Sequence, residues 1–68
     1  MKKLTIWTET PESAELVAGY LLRLNIQTLY TNTPNLVIAD VTDVSELLLD
    51  GIMKTILNAK GENHLSLD

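Results

Sequence analysis

The chain has 68 residues, a formal net charge of −4, one histidine, three aromatic residues and no cysteine. That length fits a single small α/β domain over residues 1–68, and the missing thiols exclude disulfide frameworks, thiolate metal sites, iron–sulfur clusters and thiol catalysis. The five basic residues, Lys2, Lys3, Arg23, Lys54 and Lys60, are scattered along an acidic chain, so the clustered cations needed to bind a phosphate backbone are missing.

Residues 3–8 alternate, with Leu4 and Ile6 on one face and Lys3, Thr5 and Trp7 on the other. This pattern predicts a half-buried strand. Thr10, Pro11 and Glu12 then read as an N-cap, a proline at the first helical position and an acid in the first turn. The helix should run from 11 to about 24, with Leu16, Val17, Tyr20, Leu21 and Leu24 as its apolar stripe. Asn25 is its expected terminator.

Residues 26–31 carry β-branched and aromatic side chains and predict a second strand. Thr31, Asn32, Thr33, Pro34 and Asn35 form a turn, and residues 36–41 a third strand. So short a link implies an antiparallel hairpin, because a parallel crossover needs about a dozen residues or more. It argues against a truncated flavodoxin-like parallel sheet. Asp43 and Glu46 have capping-box spacing and should open a helix to about 60, with Gly61 as the stop. His64, Leu65, Ser66, Leu67 and Asp68 alternate again and complete the pattern as a short final strand.

The order β-α-β-β-α-(β) predicts an α+β fold of ferredoxin-like type, an antiparallel sheet with two helices on one face. Gly19 and Gly51 fall inside the helices, where glycine costs about 1 kcal/mol relative to alanine. A close approach of the two helices at these glycines would account for them. Leu, Ile and Val supply 22 of the 68 residues, which rules out a disordered chain. Lys2 and Lys3 precede an apolar stretch too short for a signal peptide, and no run approaches membrane-spanning length, so a cytoplasmic protein is expected.

The third strand is apolar at Leu36, Val37, Ile38 and Ala39, and a strand with one wet face should alternate. Something besides the helices should therefore cover its second face. Trp7, Leu29 and either Val37 or Ala39 are expected to gather there, and Leu49 and Met53 are expected to spill from the second helix onto the surface. Trp7 suits an interface anchor, and a small domain gains most from burying such a patch. An RNA-recognition module would need a further aromatic on the third strand within a basic surround, and this chain has neither. A metal-carrying domain of similar order would need a CxxC pair where Thr8, Glu9, Thr10 and Pro11 stand.

The other chemistry-bearing residues are dispersed. Glu9, Glu12 and Glu15 complement the first helix N-terminus. Asp40 is expected to pair with Lys2 or Lys3 at the surface. His64 and the serines 13, 45 and 66 have no partner at catalytic spacing, and no phosphate-binding glycine loop is present. The sequence thus predicts a non-enzymatic interaction or regulatory module without cofactor or metal, forming a homodimer through the helix-free sheet face. A domain sensing a small metabolite is the alternative.

Overall fold

The computed structural model describes residues 1–59 and 63–68. In chain order the elements are β1 (Lys3–Trp7), α1 (Pro11–Arg23), β2 (Thr28–Leu29), β3 (Leu36–Asp40), α2 (Glu46–Leu57) and β4 (His64–Leu67). They form a small α+β fold with one four-stranded antiparallel sheet, ordered β2-β3-β1-β4. The predicted hairpin and final strand both form. β2 is shorter than its composition suggests.

Two local devices explain α1. Its N-cap Thr10 has extended backbone, and its hydroxyl accepts from the Ser13 N–H at 3.2 Å, with Pro11 starting the first turn. At the other end Asn25 takes φ 60°, the left-handed conformation. The Asn25 N–H then bonds the Leu22 carbonyl and the Ile26 N–H bonds the Leu21 carbonyl. That is the Schellman pairing, and Leu21 and Ile26, both buried, close it with an apolar contact.

The second helix begins later than its capping-box reading. Ser45, not Asp43, is the N-cap, its hydroxyl accepting from the Leu48 N–H at 3.2 Å. Residues 41–44 are used by a turn in which the Val44 N–H bonds the Val41 carbonyl. The helix ends at Leu57 with Asn58 as C-cap. The expected continuation to Lys60 and the stop at Gly61 lie outside the described residues.

Leu4 and Ile6 stand opposite Ala39 and Val37 in the β1–β3 register, and all four are buried. They meet Ala14, Val17 and Leu21 of α1 and Leu49, Ile52 and Ile56 of α2 in a single core. Both helices therefore cover the same sheet face. They do not meet at their glycines. A methyl group on Gly19 would reach only the Arg23 guanidinium at 3.9 Å, and one on Gly51 would find nothing within 4 Å. Both glycines lack a packing role, so Gly51→Ala should raise stability by about 1 kcal/mol in urea unfolding. At Asn25 the backbone itself is the constraint: Asn25→Ala should cost about 1 kcal/mol, and Asn25→Gly should not.

Candidate functional site

In an antiparallel register, residues directly opposite one another share a face. Since Leu4 and Ile6 point toward the helices, Lys3, Thr5 and Trp7 point away. Their partners follow: Asp40, Ile38 and Leu36 on β3, Ser66 and His64 on β4, and Leu29, opposite Ile38, on β2. The helix-free face thus holds a contiguous apolar strip of Trp7, Leu36, Ile38 and Leu29 around Thr5. Lys3 and Asp40 form its polar margin at one end, and His64 and Ser66 flank it on β4.

Trp7 is 45% exposed, a large fraction for a tryptophan on a central strand. Its position is fixed from both sides by the register and, just beyond it, by Thr8 and Asn35. Thr8 is buried, its N–H donates to the Asn35 carbonyl at 2.9 Å, and the Asn35 side-chain amide returns a bond to the Thr8 carbonyl at 3.1 Å. The Thr8 hydroxyl has the Thr10 and Asn35 carbonyls within reach at 2.8 and 3.1 Å. The sequence reading passed over this clamp. Its signal was a polar pair flanking the third strand and the end of the first.

Leu29 stands in the strip as expected, but the β3 members differ. Val37 and Ala39 are 5% and 0% exposed beneath the helices, and Leu36 and Ile38 take the places assigned to them. The parity was open because all four positions are apolar. Asp40 could have settled it, since a carboxylate belongs on the wet face and carries Ile38 and Leu36 with it. Leu49 is likewise core, 3% exposed, because it continues the inward line of Ile52 and Ile56. Met53 is half-buried against that core and lines a shallow groove with Lys2, Asp50 and Leu67 beside β4. The large apolar residues of α2 that do reach solvent are Leu47, Leu48 and Leu57.

Asp40 stands opposite Lys3, yet its carboxylate is taken by Thr42. The Thr42 hydroxyl and N–H donate to Asp40 Oδ1 at 2.6 and 3.1 Å, and the Lys2 N–H donates to the same hydroxyl at 3.0 Å. This chain replaces the expected ion pair with Lys2 or Lys3. The Lys54–Asp50 pair, 3.0 Å apart along α2, is exposed at both ends and contributes little. Among the described residues, no three acidic or histidine side chains converge as a metal site would require, and no helix is long and apolar enough to cross a membrane.

One groove has ligand dimensions. About 500 Å³ lies between the C-terminus of α1 and the N-terminus of α2, lined by Leu24, Ile26, Val44 and Leu48 and by the polar groups of Gln27, Asp40 and Ser45. No family model, curated protein or solved structure matches the chain.

The two bonds from Thr42, the hydroxyl first, hold the Asp40 carboxyl below its ordinary value. A lowered folded-state value means the linked stabilisation is present above the usual carboxylate range and is lost as pH falls through the lowered value. Thr42→Val should therefore move the Asp40 titration upward in a carboxylate-resolved NMR titration.

Proposed function

We propose that the chain is a small non-enzymatic interaction module whose helix-free sheet face is covered by another protein surface, in the first instance a second copy of the chain. The observation that carries this reading is the strip of Trp7, Leu36, Ile38 and Leu29, apolar at its centre and polar at its margin. That is the anatomy of an interface core and rim. Trp7 is the anchor, since a rigid aromatic loses little side-chain entropy on docking and buries a large area. The strand order, with a helix after β1 and another after β3, supports a ferredoxin-like arrangement, in which this face is left open. A cytoplasmic site of action belongs to the same proposal.

Nucleic acid fits the face poorly. Among the described residues of the strands Lys3 is its single lysine or arginine, Asp40 stands opposite it, and β3 offers no aromatic for a second base to stack on. A metabolite-sensing role ranks second and rests on the groove at Leu24, Ile26, Val44 and Leu48. Its mixed apolar and polar lining suits a small amphipathic ligand. A reproducible rise in melting temperature with amino acids or nucleotides would favour that role.

Absolute mass from light scattering on a size-exclusion column tests the interface. The wild type should exceed the 7.6 kDa of one chain, and Trp7→Ala should lower that mass while leaving the far-ultraviolet circular dichroism unchanged. A wild-type mass of one chain, or a mass that Trp7→Ala leaves unaltered, counts against self-association through this face.

A further inference from the structure

A four-stranded sheet has two edges, and this one protects them unequally. β2 is two residues long, which blunts its edge. β4 is four residues long and has neither a proline nor a lysine to guard its edge. The direction of its free hydrogen-bonding groups can be read from the ladder. The Asp68 N–H donates inward to the Lys3 carbonyl at 2.9 Å. Backbone groups alternate in direction along a strand, so those of Ser66 and His64 also point inward to β1. Those of Leu65 and Leu67 point outward, where no strand lies among the described residues.

We propose that this edge is completed by β4 of a second copy, antiparallel and related by a two-fold axis at Ser66, giving one continuous eight-stranded sheet. In this register Leu65 of each copy faces Leu67 of the other, and both pairs exchange their free N–H and carbonyl groups. On the helix-free side the two Ser66 residues face each other, and His64 of each copy stands opposite Asp68 of the other. The imidazole and the carboxylate are complementary at directly opposed positions. Shifting the axis by one residue in either direction removes both histidine–aspartate pairs. Charge complementarity therefore selects one register.

The helix-side surface agrees. Leu67 is 43% exposed, and it shares the groove beside β4 with Met53. Leu57, one turn beyond Met53 on the same side of α2, is also exposed. Adding a strand at β4 covers Leu67 and brings this apolar margin of α2 up to its symmetry mate. The contact does not depend on what covers the Trp7 strip. It places two such strips on one extended face.

Because the chain has no cysteine, a single introduced thiol reports a single contact. Directly opposed residues at a non-hydrogen-bonded antiparallel position have Cα atoms about 4.5 Å apart, within disulfide reach. Ser66→Cys should convert largely to a covalent dimer under mild oxidation. Thr5→Cys, on the same face but one strand in, would sit about 14 Å from its mate and should remain mostly unlinked. Within the Ser66→Cys chain, adding His64→Asp should cut the yield several-fold, and adding Asp68→His to that variant should restore it. Equal yields at positions 66 and 5, no linkage at 66, or a yield indifferent to the charge exchange would overturn the proposal. Circular dichroism of each variant checks that the overall fold is retained. The Trp7→Ala mass measurement addresses a different surface, so either contact can fail without the other.

Discussion

Everything in this molecule follows from a sheet packed on one side only. Two helices of 13 and 12 residues cover one face of four strands. The core they make is twelve buried apolar side chains among the described residues. A core of that size stabilises a chain of this length by only a few kcal/mol. The central strands β1 and β3 are nonetheless apolar on both sides where Trp7, Leu36 and Ile38 face away from the helices. The described residues therefore leave this apolar surface exposed, and the proposed association would take it out of water.

The rigid parts of the fold lie where this surface must be presented. Thr8 and Asn35 close the ladder beyond Trp7, and the Lys2–Thr42–Asp40 chain closes it at the opposite end. Between them β1 is paired on both sides along its whole length. Trp7 thus stands on a strand with little freedom to move, which lowers the entropic cost of docking it. β4, by contrast, is paired on one side alone among the described residues. Its outward backbone groups bond water or another strand.

Much of this was legible in the sequence, and the failures have physical causes. Thr10, Pro11 and Asn25 announced both ends of α1 because capping chemistry is local. The antiparallel hairpin followed from the short link after β2, a geometric limit that admits no tertiary override. The parity of β3 was not legible from its apolar residues, since Leu36, Val37, Ile38 and Ala39 offer no alternation. It is set by register against β1, a long-range fact. The same holds for Leu49, whose burial depends on which side of α2 meets the sheet. Ser45 displaced Asp43 as the cap because the turn at 41–44 used the earlier residues, and the two glycines proved to be tolerated rather than required.

Whether another chain finishes the sheet, as proposed, can be read by amide hydrogen exchange without any substitution. The Leu65 and Leu67 N–H groups point away from β1, whereas the Ser66 N–H points into the ladder. With β4 completed by a second copy, Leu65 and Leu67 should be protected at high protein concentration and lose that protection on dilution, while Ser66 stays protected throughout. Fast exchange at Leu65 and Leu67 at every concentration, with Ser66 still protected, would contradict it: β4 would be an intact edge that nothing completes.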